Sequence, residues 1–339
     1  MKKYNVCVLG ATGMVGKEMM RVLEERNFPV NKFLPLASER TAGTKINFQG
    51  QEYTVALAEP KVFAGMEIGL FSAGAKISEA LAPAAAQHGC VVIDNTSHFR
   101  MDPNVPLIVP EVNGHAIKNH KGIIANPNCS TAQMVLPLKP IYDKVGIERL
   151  VISTYQATSG WGKEAVAEMY EQTRTLLDNP SAKITAKYLP KQIAFNVIPQ
   201  IDSFADNGYT KEELKMVNET RKILEDQDIR ITATTVRVPV AVGHSESVNI
   251  QTRSKITAHE VRELISKFPT VKVIDDPKNS GYPTPIDCVG KNETFVGRIR
   301  EDISIPNGIE MWIVSDNLRR GAALNAVLIA ERMIKDNLL

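Results

Sequence analysis

Apolar and polar positions follow two alternating patterns along the first 128 residues. Short continuous apolar runs, each a predicted strand, lie at 4–10, 32–38, 66–74, 90–97 and 122–127. Helical spacing follows the first run, because one helix face of the stretch 13–26 carries Met14, Val15, Met19, Val22 and Leu23. Continuous apolar strands that alternate with helices are typical of a parallel sheet covered on both faces. The first part of the chain is therefore predicted to be an α/β domain.

The pattern changes after residue 128. A long strand is predicted at 147–160, and alternating segments, interpreted as half-exposed antiparallel strands, lie at 231–240, 245–254, 294–302 and 309–317. Helices are predicted at about 162–178, 210–226 and 257–267, and a last amphipathic helix at 319–339. Residues 129–318 therefore predict an α+β domain with a mixed or antiparallel sheet. We expect the final helix to return to the first domain, which then comprises 1–128 and 319–339.

Composition narrows the class of protein. The chain has 339 residues, a net charge of +2 and a hydrophobic fraction of 43%, which suits a globular protein of two domains. The small charge does not suggest a nucleic-acid partner. No apolar run approaches the roughly 20 residues that span a membrane, and the N-terminus has no signal-peptide pattern. The four cysteines are far apart without a CxxC pair, which predicts reduced thiols and a cytoplasmic location.

The segment GATGMVG at 10–16 joins the first predicted strand to the first predicted helix. Gly10 permits a tight turn, Gly13 lets a pyrophosphate approach backbone N–H groups, and Gly16 allows helix and strand to pack closely. The helix N-terminus at this point favours an anion. A plain strand-to-helix turn is the alternative, because three glycines alone are a weak signal. We predict a Rossmann-type dinucleotide-binding domain.

The end of the second predicted strand bears on which dinucleotide binds. An acid at this point binds the ribose hydroxyls of NAD, whereas an arginine accommodates the 2′-phosphate of NADP. The sequence here is ASERTAG, in which Ser38, Arg40 and Thr41 are suitable phosphate ligands and Glu39 would have to point away. We predict NADP as the cofactor, and a solvated loop charge is the alternative role for Arg40.

Cys129, in the segment NPNCST, is the candidate nucleophile. Pro127 ends the preceding strand, and a helix is predicted to begin near residue 128 or 129. The helix dipole and the unpaired N–H groups at such a position stabilise a thiolate and can hold an oxyanion. A buried thiol that only packs is the alternative. We expect no comparable activation at Cys7, Cys90 and Cys288.

His244 is the candidate partner of the thiol. It follows a strand and a glycine in RVPVAVGHSES, where a loop can direct it into a cleft. A thiol and a histidine beside a nicotinamide suggest aldehyde oxidation through a thioester, although a purely structural histidine is the alternative. The other histidines lie in polar segments: His88, His98, His115, His120 and His259.

In combination, the segments GATGMVG, NPNCST, QATSG and RVPVAVGHSE resemble the bacterial aspartate-semialdehyde dehydrogenase family, and the resemblance covers nearly the whole chain. It implies that Cys129 is the acyl-forming nucleophile, that His244 is the acid/base and that Gln156 orients the substrate. From the residues alone, Gln156 would pass as a polar residue at a strand end.

The same resemblance implies how the substrate is bound. Arg237 is implied for the substrate carboxylate and Glu212 for the amino group, while Lys215 and Arg100 are implied for phosphate. Asn128, beside the nucleophile, is also expected to bind substrate. From the residues alone, Glu212 and Lys215 could be a solvated ion pair on one helix face, and Arg100 an ordinary loop charge.

The resemblance also implies a reversible, NADP-dependent conversion of 4-aspartyl phosphate to aspartate 4-semialdehyde and phosphate. This reaction serves the synthesis of lysine, through diaminopimelate, and of threonine and methionine. A homodimer or dimer of dimers is expected, with no metal, no nucleic acid and no membrane. The expected cofactor contacts are Gly10, Thr12, Gly13, Met14, Val15, Gly16, Ser38, Arg40, Thr41, Ser72, Ala73, Gly74, Ser159, Gly160 and Asn317. The rival functions are an N-acetyl-glutamyl-phosphate reductase and a catalytically silent Rossmann scaffold or redox sensor.

Overall fold

The computed structural model describes residues 2–339, and the chain forms two compact units. The first unit runs to Asn128 and includes Gly321–Leu339, and the second is Cys129–Arg320. The second boundary falls after residue 320, whereas the sequence placed it after residue 318. Among the described residues no helix is long and apolar enough to cross a membrane.

The elements are numbered along the chain. The strands are β1 (Tyr4–Leu9), β2 (Val30–Ala37), β3 (Lys45–Phe48), β4 (Gln51–Thr54), β5 (Ala56–Leu57), β6 (Ile68–Phe71), β7 (Val91–Asp94), β8 (Ile123–Ala125), β9 (Ile147–Gln156), β10 (Arg230–Arg237), β11 (His244–Thr252), β12 (Val271–Val273), β13 (Thr294–Glu301) and β14 (Gly308–Ser315). The α-helices are α1 (Met14–Glu25), α2 (Ala75–Gln87), α3 (Pro110–Asn113), α4 (Cys129–Val145), α5 (Lys163–Asp178), α6 (Lys211–Leu224), α7 (Ala258–Ser266), α8 (Pro285–Cys288) and α9 (Leu324–Lys335).

The sheet of the first unit has the order β5-β2-β1-β6-β7-β8, and its strands run parallel. This confirms the predicted α/β domain with a parallel sheet. The apolar face of α1, with Met19 and Leu23, shares a core with Val327 and Ile329 of α9 and with the inner strands. β1 lies between β2 and β6, which is the point where the strand order reverses and where such sheets bind ligands.

The sheet of the second unit has the order β10-β9-β11-β14-β13-β12 and is mixed. β9, β11, β14 and β13 pair antiparallel, and β12 pairs parallel with β13. The expectation that the segment 231–240 is an antiparallel strand is wrong, because β10 runs parallel to β9. An alternation of polar and apolar residues indicates that one face of a strand is exposed. It does not indicate whether the strand runs parallel or antiparallel to its neighbour. The connection through α5 and α6 is long enough for the crossover that parallel neighbours need.

Two further differences concern short elements. β3 and β4 form a hairpin that the hydrophobic pattern did not reveal, with Gln49 and Gly50 at positive φ in its turn. The last predicted helix begins with a π-helical turn over Arg319–Ala323, and regular α-helix starts only at Leu324. Both features are only four or five residues long, too short for a periodicity to be read from the sequence.

Candidate active site

Cys129 is the first residue of α4. It is partly exposed, whereas the other three cysteines are buried and none of the four is in a disulfide. The first turn of α4 contains no acidic side chain, so the positive end of the helix dipole is not offset there. A hydrogen bond to Cys90, and then burial, raise the pKa of the Cys7 thiol, and burial raises the pKa of Cys288 to about 12. The chain therefore offers Cys129 as its accessible nucleophilic thiol.

His244 begins β11 and is fully buried. The backbone N–H of Ala157 donates to its Nδ1 at 3.0 Å, so the proton of a neutral ring is on Nε2. Burial, and then the charge of Arg237, hold the pKa of His244 well below its usual value. Nε2 has no hydrogen-bond partner among the described residues. The ring is thus a neutral donor with its N–H unused by the protein.

Gln156, at the end of β9, links the start of α4 to α6. Its Nε2 donates to the Ser130 hydroxyl at 2.5 Å and to Oε1 of Glu212 at 3.1 Å. Lys215 donates to the other oxygen of Glu212 at 3.1 Å and to Asp202 at 2.9 Å. Burial lowers the pKa of Lys215, but the two carboxylates outweigh it and raise that pKa overall. Lys215 is therefore a firmly charged cation.

Asp202 was not recognised from the sequence. It lies in an irregular segment before α6, where no periodicity marks a residue for attention. Its pKa is lowered because the hydrogen bonds from Lys215 and the Ser203 backbone outweigh the opposing effect of burial. A small cavity of about 220 Å³ lies beside it and is lined by Trp161, Tyr188, Leu189, Pro190, Gln200, Asp202 and Arg237.

Arg237 ends β10 and pairs in register with Gln156, because β10 and β9 run parallel. Its Nη1 donates to the Ala157 carbonyl at 2.7 Å, and burial lowers its pKa while the charge of Glu212 opposes that shift. Gly160 lies against the same group: a Cβ there would be 2.9 Å from Nη1 of Arg237 and 3.1 Å from Nε2 of His244. The site therefore has no room for a side chain at position 160.

Asn317 and Ser159 bond to each other within the second unit. Asn317 Nδ2 donates to the Ser159 hydroxyl at 3.0 Å, and its Oδ1 accepts the N–H of Gly243 at 2.9 Å. Gly243 immediately precedes His244. Asn317 therefore ties the turn that carries the histidine to the turn that follows β9.

The glycine loop of the first unit is closely packed against backbone. Gly10 has φ of +87°, and a Cβ on it would lie 2.5 Å from the Ser72 carbonyl oxygen. A Cβ on Gly16 would lie 2.1 Å from the carbonyl oxygen of Gly10. Ser72, Ala73 and Gly74 follow β6, and α1 starts after Gly13 with no acid in its first turn. These residues fit a dinucleotide pyrophosphate, since backbone donors and a positive helix end meet at the switch point of the sheet.

The turn after β2 lies beside this loop. The hydroxyls of Thr41 and Thr12 are 3.0 Å apart, and the N–H of Thr41 bonds to the Ser38 carbonyl. Ser38, Glu39 and Arg40 are exposed in this turn. The arrangement leaves hydroxyls and a guanidinium accessible to an anion, as a 2′-phosphate requires.

Arg100 and Asn128 belong to the first unit, whereas the other predicted substrate and catalytic residues belong to the second. Arg100 is largely buried, and its Nε and Nη2 donate to the backbone carbonyls of Asn126 and Asn95, each at 2.9 Å. These bonds hold its guanidinium in one orientation. Within the second unit, the structure brings together Cys129, Gln156, Glu212, Lys215, Arg237 and His244.

Two protein-family models match the chain. The family described as "Semialdehyde dehydrogenase, NAD binding domain" matches residues 5–120, and the family described as "Semialdehyde dehydrogenase, dimerisation domain" matches residues 138–320. An aspartate-semialdehyde dehydrogenase of Aquifex aeolicus is 52% identical over 339 residues, covering 99% of each chain. The chain belongs to the aspartate-semialdehyde dehydrogenase family. This confirms the resemblance seen in the sequence motifs.

Solved structures of the family have the same fold. Aspartate semialdehyde dehydrogenase II of Vibrio cholerae, complexed with ASA, has a TM-score of 0.95, with 48% identity and 99% of both chains covered. The aspartate semialdehyde dehydrogenase of Candida albicans with NADP has a TM-score of 0.79, with 26% identity and complete coverage of both chains. Membership of the aspartate-semialdehyde dehydrogenase family makes the chain an oxidoreductase of amino-acid biosynthesis with a nicotinamide-dinucleotide-binding domain and a dimerisation domain.

Proposed function

We propose that the chain interconverts 4-aspartyl phosphate and aspartate 4-semialdehyde, with NADPH as reductant and phosphate as the second product. The reaction would supply the synthesis of lysine, threonine and methionine. One observation carries the proposal: the partly exposed thiol of Cys129 starts a helix in the same unit as a buried, neutral His244 whose Nε2–H is unused. A thiol nucleophile and a proton donor are the two protein groups that acyl transfer through a thioester needs.

In the reductive direction the Cys129 thiolate attacks the acyl carbon, a C–S bond forms, and the C–O bond to phosphate breaks. When bound, the nicotinamide supplies the hydride for the reduction. Collapse of the resulting thiohemiacetal oxyanion re-forms the carbonyl, breaks the C–S bond and releases the aldehyde and the Cys129 thiolate. The Nε2–H of His244 donates a hydrogen bond to the departing sulfur during this collapse, because Nδ1 is held by the N–H of Ala157.

In this proposal, different charged residues bind the amino-acid end and the phosphate end of the substrate. Arg237 offers a guanidinium to the α-carboxylate, and Glu212 offers a carboxylate to the amino group. Lys215 and Arg100 bind the phosphate, and Asn128 binds substrate beside the nucleophile. Gln156 orients the substrate from the hydrogen-bond chain that already joins it to Ser130 and Glu212.

The first unit holds NADP in this proposal. The loop 10–16 and residues 72–74 bind the pyrophosphate side, and Ser38, Arg40 and Thr41 bind the 2′-phosphate. Ser159, Gly160 and Asn317 are the proposed contacts from the second unit. The NADP in the Candida albicans relative supports this choice of cofactor.

The test is an assay of nicotinamide absorbance with aspartate semialdehyde, phosphate, and NADP or NAD. We expect turnover that requires phosphate and is faster with NADP. N-acetyl-glutamate semialdehyde serves as the alternative substrate, and its preference over aspartate semialdehyde would contradict the proposal, as would no turnover with either aldehyde. In an active enzyme we expect Cys129 to react faster with a thiol reagent than the buried Cys7 and Cys90 do. Equal rates at the three thiols would indicate a catalytically silent scaffold.

We also propose that the chain forms a homodimer through one face of the second sheet. α4 packs on one face, where β9 and β11 bury the even-numbered residues from 150 to 156 and from 244 to 252, and the opposite face carries Tyr155, Ser247 and Trp312. Tyr155 is 38% exposed, and its ring lies 5.4 Å from that of Trp312. Light scattering should give a dimer, and S247R should yield monomers. A variant that keeps the wild-type mass would exclude this face.

A further inference from the structure

Glu246 is a fully buried carboxyl beneath the start of α4. It lies on β11 two residues after His244, on the same face of the strand, and the residues beside it in register are Thr154 and Ile313. Both carboxyl oxygens are without a hydrogen-bond partner among the described residues. An ionised carboxylate in such a position is strongly disfavoured. The protonation state of Glu246 therefore needs an explanation.

Gln133, one turn after Cys129 on α4, faces this carboxyl and is equally buried. Its Nε2 donates to the backbone carbonyl of His244 at 3.3 Å, which directs its Oε1 away from that bond. Oε1 has no partner within residues 2–339. An amide oxygen and an ionised carboxylate are both acceptors and cannot bond to each other. With a proton on Glu246, the carboxyl O–H becomes a donor and Oε1 of Gln133 can accept its hydrogen bond.

We propose that Glu246 is a neutral carboxylic acid whose O–H donates to Oε1 of Gln133, and that the pair is a positioning device for the active site. Gln133 is then held at both ends, by Glu246 and by the carbonyl of His244. The pair fixes the first turn of α4, which begins with Cys129, against the strand that begins with His244. The functional part of this inference rests on the proposed roles of Cys129 and His244.

The surroundings favour the neutral acid. Burial raises the pKa of Glu246 well above its usual value and outweighs the lowering by the nearby Ser130 hydroxyl and Gln133 amide, neither of which makes a hydrogen bond of good geometry to the carboxyl. The titratable groups nearest along the packed elements are His244 on the same strand and Cys129 at the start of α4. The neighbours on β9 and β14, Thr154 and Ile313, do not titrate. Neither of these strand neighbours is therefore a cation that could stabilise the ionised form of Glu246.

The first measurement does not depend on catalysis. Unfolding by urea is compared for the wild type and E246Q, whose amide can donate to Gln133 at every pH. A carboxyl with a raised pKa in the folded state binds its proton more tightly there than in the unfolded chain, so stability falls as pH rises. The unfolding constant of the wild type relative to E246Q should rise about tenfold per pH unit above roughly pH 4.5. A ratio that does not change between pH 5 and 8 would overturn the proposal.

The second measurement uses the reaction. E246M has a similar shape but no donor, so kcat should fall roughly ten- to hundredfold, the scale of a small misplacement of reacting groups, with little change in KM. E246Q should keep kcat within about twofold. Equal losses in the two variants, or an E246M enzyme with normal kcat, would refute the positioning role. If E246M does not fold, or if the wild type lacks the proposed activity, the pH dependence of unfolding still decides the protonation state.

Discussion

The backbone N–H of Ala157 donates to Nδ1 of His244, and this bond determines which nitrogen carries the ring proton. Because burial and the charge of Arg237 also hold the pKa of His244 well below its usual value, the ring is a neutral Nε2–H donor at neutral pH. The structure therefore describes His244 as a neutral ring that offers the hydrogen of Nε2 to the reacting atoms.

His244→Asn should lower kcat by roughly 10²–10⁴, the usual contribution of general acid–base catalysis, with substrate binding little changed. Since the lowered pKa keeps the ring neutral at pH 7 and above, the wild-type kcat should show no loss from titration of His244 between pH 7 and 8. A variant whose only defect is a raised KM would instead make His244 a binding residue. The measurement is a pH profile of kcat and KM for both proteins.

Cys129→Ala should abolish turnover and leave NADP binding nearly intact, because only the attacking sulfur is removed. Cys288→Ala is a matched control, since burial raises the pKa of that thiol to about 12 and leaves it unreactive. Steady-state turnover and cofactor titration by fluorescence separate the two effects. Activity near that of the wild type in the Cys129 variant would remove this residue from the nucleophile role.

Arg40→Ala should weaken NADP binding roughly ten- to hundredfold, as expected for loss of a hydrogen bond to a charged group. NAD binding should barely change, because NAD lacks the 2′-phosphate. Lys45→Ala, an exposed cation paired with Glu52 on the neighbouring hairpin, controls for a general effect of charge. Equal losses for both cofactors in the Arg40 variant would contradict the 2′-phosphate contact.

Lys215→Ala should raise the KM for phosphate more than the KM for aspartate semialdehyde. Lys215 is held in its charged form by Glu212 and Asp202, so its removal deletes a positive charge at a defined place. Lys211→Ala, an exposed lysine on the same helix, is the control. Initial-rate kinetics with each substrate varied in turn provide the test, and a change confined to the semialdehyde KM would exclude the phosphate role.

Arg237→Lys should be clearly impaired although it keeps the charge, because lysine cannot reproduce the planar fork that binds a carboxylate. Glu212→Ala should weaken semialdehyde binding and relax the rejection of analogues that lack the amino group. Competition with des-amino analogues measures this discrimination directly. Unchanged discrimination in the Glu212 variant would mean that another residue recognises the amino group.

Much of the fold follows from local pattern. The glycine loop after β1, the buried parallel strands of the first unit and the start of α4 at Cys129 each depend on a few consecutive residues. Apolar runs, a proline before the helix start and helical spacing act over short distances, so the sequence alone predicts these elements. The family resemblance added the candidate roles of distant residues such as Arg237 and Glu212, which their local context did not distinguish from surface charges.

The tertiary structure decided which side chains meet. Only the parallel pairing of β10 with β9 places Arg237 beside Gln156, and the long connection through α5 and α6 permits this direction, which the alternation of polar and apolar residues does not reveal. Asp202 reaches Lys215 from an irregular segment, and Gln133 meets Glu246 and His244 from another element. Such contacts join residues far apart in the chain, and their hydrogen bonds and pKa values depend on burial, which arises only when the elements pack together.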